Sequence, residues 1–167
     1  MRGQTIGRTM PHGYAGSYSR QPDSVINTRP AGAAIAFGIG VAYVSAMNVV
    51  PMGTAGAKNS FIGVAVREIK SATDYLNQNA GAYVPGEAVP VMMRGSVNVK
   101  CQRSTPSLGG AVYIRTAVND SYEDCVIGGF EAEADEGKTT LLGNCQWGGP
   151  ADENGIAELI ILTRANA

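Results

Sequence analysis

Few residues in this chain have the chemistry to catalyse a reaction. The single histidine, His12, sits in a glycine-rich N-terminal stretch, PHGYAGSYSR over 11–20. A general base must be oriented by a second group within a cleft, and a stretch of that composition supplies neither. Three cysteines, Cys101, Cys125 and Cys145, lie 24 and 20 residues apart. That spacing does not suit a clustered zinc site, and an odd count does not suit a disulfide framework. Cys101 and Cys145 fall in apolar alternating runs, which predicts buried core thiols. Glu131, Glu133 and Asp135 share a face if 130–135 is a strand, a row that could chelate calcium. Calcium sites normally draw on tight turns and loop carbonyls, for which Gly137 alone is thin support. Trp147, in Cys-Gln-Trp-Gly-Gly, reads as a core or interface anchor before a sugar platform. Neither HExxH, a Walker loop nor GxSxG occurs. The expectation is a protein that is not an enzyme and has no catalytic residues, no metal and no cofactor.

Charge adds a second constraint. Thirteen basic and fourteen acidic residues give a formal charge of −1, which offers no global case for nucleic acid. The charged fraction is 16%, below the roughly 25% of an average soluble domain, as in proteins that bury much of their surface against partners. The distribution is uneven. Residues 1–30 hold Arg2, Arg8, Arg20 and Arg29 against Asp23, while residues 120–136 hold seven acids and no base. Such a dipole could steer docking, or the two stretches could be a flexible basic tail and a solvated acidic loop. The N-terminus lacks the apolar core of a signal peptide, and the apolar stretch 31–52 is too interrupted by Gly, Ser and Asn for a membrane span. Synthesis in a reducing cytoplasm and no membrane partner are expected.

The elements that would carry these residues read as strands. Runs rich in Val, Ile, Ala and Tyr recur at 39–50, 60–69, 87–93, 96–102, 110–115, 122–130, 139–147 and 156–163, punctuated by glycine. Val97, Val99 and Cys101 alternate with Ser96, Asn98 and Lys100, the pattern of a half-buried strand. Arg94-Gly95 and Asn154-Gly155 predict tight turns. Pro85 and Pro90 predict an edge strand around Val89 and Val91. Only Ser71–Leu76 invites a short helix, through a loose capping box. The fold class is therefore all-β, a small β-barrel or jelly-roll-like sandwich. Residues 1–30 show neither strand nor helix period and are expected as an extended arm before a β domain at 31–167. Tyr14, Tyr18, Arg20, Val25 and Ile26 in this arm are of types that dominate binding hot spots or supply apolar contact, and are the candidate partner-binding residues.

The order of several segments carries a family resemblance. AFGIGVAYV (36–44), FIGVAVRE (61–68), YVPGEAVPVMMRGSVNVKC (83–101), GGAVYIR (109–115) and LLGNCQWGGPADENGIAELIIL (141–162) follow the arm. This series resembles the structural cement, or capsid decoration, proteins of tailed bacteriophages over about residues 11–163. The resemblance implies a virion protein on the exterior of the expanded head, bridging neighbouring major capsid subunits as a homotrimer, with a dimer as the alternative. An extended arm adds reach across a seam between subunits, so the arm residues above are expected to contact capsid protein. The Asn-rich 70–82 and the long acidic 120–136 depart from the family's core pattern. A receptor- or carbohydrate-binding β module of a phage tail or fibre is the other reading.

Overall fold

The structure is a computed structural model that describes residues 11–45, 47–68 and 80–163. Nearly all of its regular structure is β. The helix expected at 71–76 lies outside the described residues.

One strand organises the molecule. β1 (Tyr18–Pro30) is followed by β2 (Ile35–Ala36), β3 (Gly40–Tyr43), β4 (Val49–Pro51), β5 (Gly63–Ala65) and β6 (Ala82–Tyr83), and then by the thirteen-residue β7 (Ala88–Lys100). The chain continues through β8 (Tyr113–Arg115), β9 (Phe130–Glu131), β10 (Thr139–Leu141), β11 (Cys145–Trp147) and β12 (Ile156–Ile161). The main antiparallel sheet runs β11-β12-β7-β5-β3-β4, with β1 also paired to β7. A three-stranded sheet, β10-β8-β9, delivers Ile114 and Phe130 into the main core, where Phe61 and Phe130 meet edge to face at 6.1 Å. β2 and β6 form a third, two-stranded sheet. Of barrel and sandwich, the packed sheets take the sandwich-like form. Loop backbone covers both ends of the main sheet: Trp147 N–H donates to Gly110 C=O, and Gly32 N–H donates to Val49 C=O. Edges covered this way are protected from unwanted strand pairing.

Residues 18–30 lie along β7 as a strand of this sheet, so the extended segment does not stand free of the β domain. Residues 122–130, read as a strand run, instead open on a 3₁₀ turn (Asp120–Tyr122), and only their end, Phe130, joins β9. Asn154-Gly155 is a turn before β12. Asp152 Oδ1 accepts from the N–H groups of Asn154 and Ile156, and Gly155 has φ +74°.

Two expectations for β7 are corrected. Arg94-Gly95 is not a hairpin turn, because β7 continues straight through it. Gly95 instead accommodates a bulge in β1. Between the pairs Arg20↔Ser96 and Val25↔Arg94, β1 advances five residues while β7 advances two. A Cβ on Gly95 would lie 2.5 Å from Asp23 C=O, and its φ is +120°. The irregularity also reverses which face each side chain takes. Val89 and Val91 enter a smaller core with Ile35, Val41 and Tyr83, whereas Val97 and Val99, of the same odd parity, enter the main core with Trp147 and Leu159.

Pro90 does not mark an edge either, because β1 and β5 flank its strand. Its carbonyl accepts from Val66 N–H at 2.9 Å, but proline has no N–H to return. The Tyr83 hydroxyl donates to Val66 C=O instead, at 2.6 Å. Burial, with the Glu68 and Glu87 carboxylates near by, pushes that hydroxyl's pKa up to about 12, so it keeps its proton.

Candidate functional site

The N-terminal segment is strapped onto the polar face of β7. Gly16 N–H donates to Asn98 C=O at 2.7 Å, and Asn98 N–H donates to Ser17 C=O at 2.8 Å. The Asn98 amide donates to His12 C=O and Ser17 Oγ. Arg67 N–H donates to Gly16 C=O at 2.8 Å. Gly16 has φ +82°, and a Cβ there would sit 2.9 Å from the backbone nitrogens of Arg67 and Gly38. Only glycine allows this approach. Ser96 and Asn98, expected on a wet face, are therefore buried beneath the strap.

This strap presents Tyr14. Ser17 donates to Tyr14 C=O from both N–H and Oγ, closing a turn that leaves Tyr14 69% exposed. The Arg67 guanidinium lies 4.5 Å from the centroid of that ring and 5.7 Å from that of Phe37. Cation–π contact holds an exposed ring in place without covering it.

The other four candidates are turned inward to differing degrees. The Tyr18 hydroxyl donates to Glu68 Oε1, and burial followed by that carboxylate raises its pKa. Arg20 grips Glu158 through Nε–Oε1 at 2.7 Å and Nη2–Oε2 at 3.2 Å. Burial pushes the Glu158 carboxyl up. Arg20, with the Ser19 and Ser96 hydroxyls, outweighs that and holds it below the ordinary glutamate value. Val25 and Ile26 are half-buried opposite Arg94 and Met92, and Ile26 packs on the main core. The bulge before Val25 opens a groove of about 450 Å³ lined by Arg20, Asp23, Arg94 and Leu162. The five residues thus fall in separate settings, with Tyr14 the most outward.

The acidic stretch divides in two. Glu131 and Arg115 are both fully buried and bonded at 2.5 Å, and Arg115 also reaches Asp135 at 3.0 Å. Asn119, opposed by burial and aided by Arg115, holds the Asp135 carboxyl below its ordinary value. Arg103 stands 3.8 Å from Glu131 and 3.6 Å from Glu133. The row considered for calcium therefore answers to two guanidinium groups, and no metal-binding group of three ligands occurs among the described residues. Asp120, Glu123 and Asp124 remain exposed, and no ion pair engages them among the described residues.

Among the described residues, these parts do not assemble a catalytic constellation. His12 contributes its backbone, with N–H donating to Asp152 Oδ2. All three cysteines are buried free thiols, and burial pushes Cys145 up to about 12, far from thiolate reactivity. Trp147 is fully buried in the main core and offers no platform.

Sequence reasoning missed Arg67, Phe37 and Val126. Phe37 and Val126 share a groove of about 200 Å³ with Ile39, Lys100 and Asp124, next to the Tyr14 stack. The readable signal was apolar Val118, Tyr122 and Val126 recurring within an acidic stretch, which a protein exposes only for a reason.

Comparison with known proteins now bears on these surfaces. A family model described as structural cement protein matches residues 3–162. No curated protein matches the sequence. Among solved structures, a chain of the capsid of Myoviridae phage XM1 is similar in fold, with a TM-score of 0.61 over 98% of each chain at 12% identity. With a match over nearly its whole length, the chain belongs to the structural cement protein family, virion components whose role is to stabilise the capsid.

Proposed function

We propose that this protein binds the outer surface of the expanded phage head, after synthesis in the host cytoplasm, and bridges neighbouring major capsid subunits as a homotrimer, with a dimer as the alternative. The observation that carries the reading is the Tyr14 surface: an aromatic ring fixed by Arg67 and by a glycine-dependent strap, yet exposed to water. A rigid exposed aromatic loses little entropy when a partner covers it. Binding confined to the expanded head stabilises that state by mass action, about 2.7 kcal/mol per site at a hundredfold excess over Kd. The carbohydrate-binding alternative would have to use Tyr14 or Tyr122 as its aromatic platform, because the only tryptophan is buried.

The test is co-sedimentation of the purified protein with expanded heads stripped of decoration, with unexpanded proheads as control. Saturable binding to expanded heads and higher heat resistance of the particle are expected. Tyr14→Ala should weaken binding about tenfold or more, the effect of a hot-spot aromatic. Absence of binding to either particle would retire the reading.

A further inference from the structure

Beside the Tyr14 surface lies a second feature built with more care than an exposed loop requires. Residues 118–126 run around the 3₁₀ turn, and hydrogen bonds from within the loop and from Gln102 brace its backbone. Asn119 Oδ1 accepts from Ser121 N–H, and Asn119 C=O accepts from Tyr122 N–H. Cys125 is buried, and its N–H donates to Tyr122 C=O. Gln102 clamps Val126 from both sides, its Oε1 accepting from Val126 N–H at 2.5 Å and its Nε2 donating to Val126 C=O at 3.3 Å. Arg103 lies 4.5 Å from the centroid of the Tyr122 ring. The side chains left facing water are the apolar Val118, Tyr122 and Val126 and the acidic Asp120, Glu123 and Asp124. A mobile acidic loop has no use for such bracing, and a monomer does not gain from exposing three apolar side chains on a fixed backbone.

The groove beneath this loop has a definite size and polarity. Phe37, Ile39 and Val126 form apolar walls, and Asp124 stands among its lining residues. At about 200 Å³ it is smaller than the roughly 300–1,000 Å³ of small-molecule sites, which suits a single long side chain. Lys100 also lines it, with Asp124 in the same lining and Asp120 and Glu123 exposed on the loop above. The neighbouring acids do not add to this field outward, since Arg115 and Arg103 engage Glu131, Glu133 and Asp135. Lysine and arginine match both halves of the site, with a hydrocarbon stem for the walls and a cation for the acidic rim.

We infer that the 118–126 loop and its groove are a docking site for a lysine- or arginine-bearing segment of the capsid protein. This rests on the capsid-binding reading above and gives it a second contact, joined to the first through Phe37, which touches Arg67 on one side and lines the groove on the other. The charged rim sets orientation and speed of docking, and the apolar walls hold the stem once seated.

Two variants at exposed positions test the site: the double charge reversal Glu123→Lys with Asp124→Lys, and Val126→Ser. Each is measured for binding to expanded heads by co-sedimentation at low and high ionic strength, with thermal unfolding and sedimentation velocity alongside. The wild type should bind more weakly as salt rises. The charge-reversed protein should bind at least about tenfold more weakly at low salt and lose most of that salt dependence. Val126→Ser should weaken binding by a smaller factor at every salt concentration. Unchanged affinity in both folded variants overturns the inference while leaving the head-binding reading intact. A change in oligomer mass instead of head affinity also overturns it, by assigning the surface to a second copy of this chain. Failure of the wild type to bind heads at all is the separate result that removes the parent reading.

Discussion

Two of the arginine–glutamate pairs, Arg115–Glu131 and Arg20–Glu158, differ in which partner reaches water. In the three-stranded sheet, Arg115 and Glu131 are both fully buried, and Glu131 Oε2 has no hydrogen-bond partner among the described residues. On the main sheet, Glu158 is buried but the Arg20 side chain is 73% exposed. The first pair cannot lose a member without leaving a charge stranded in a low-dielectric interior. The second keeps its cation within reach of solvent, so water can replace part of what the arginine provides. The same pairing therefore serves as internal framework in one place and as a fastening for the N-terminal segment in the other.

Arg115→Ala should have the largest effect, a loss of about 3–5 kcal/mol, because Glu131 would stay buried without its guanidinium. For a chain of this size that lowers Tm by on the order of 10 °C, measured by circular dichroism with a urea titration alongside. A loss below about 1 kcal/mol would mean that water or the Arg103 guanidinium, 3.8 Å from Glu131, takes over from Arg115, erasing the contrast between the pairs. Gly16→Ala should come next, at about 1–3 kcal/mol, for forcing a side chain onto positive φ against backbone. It should also loosen the strap over Asn98, read as faster proteolysis at the N-terminus. Unaltered stability and proteolysis would show that the strap is not a constraint on the sheet.

Arg20→Ala should have the smallest effect on stability at neutral pH, and its signature lies in acid. The Glu158 carboxyl titrates lower in the folded chain than in the unfolded one. Its stabilising contribution is thus complete above the ordinary glutamate value and disappears as pH falls through the lower, folded value. Wild type should lose more stability than Arg20→Ala across that acidic window, followed by urea midpoints at a series of pH values. Parallel profiles would mean that the Ser19 and Ser96 hydroxyls, not Arg20, hold the carboxylate.

Much of the fold was legible in the pattern of residues. The all-β class, the turn at Asn154-Gly155 and the inward faces of Val97, Val99 and Cys101 follow from alternation and turn chemistry. Gly95 misled because a glycine between two apolar runs looks alike as a hairpin and as a bulge site. The deciding atom, Asp23 C=O, is seventy-two residues away in the chain. Pro90 misled because the hydroxyl that covers its missing donor belongs to Tyr83 on another sheet. For the candidate site, Tyr14 was visible as an aromatic in an otherwise featureless stretch. Arg67 was not, and Val126 showed only as an apolar residue recurring in an acidic stretch, since their role depends on a tertiary approach between the strap, the 36–39 turn and the 118–126 loop.

The reversal of faces along β7 has a consequence for how the molecule comes apart. A strand that feeds the smaller core through Val89 and Val91 and the main core through Val97 and Val99 ties the two together by covalent bonds. Neither cluster can open by itself without dragging the shared strand out of the other. Hydrogen–deuterium exchange should report this as one slowest-exchanging set of amides spanning both halves of β7, released together with a single free energy equal to that of global unfolding. A capsid-stabilising protein that melts as one unit stays whole until it fails, and does not shed half its structure while the other half still holds.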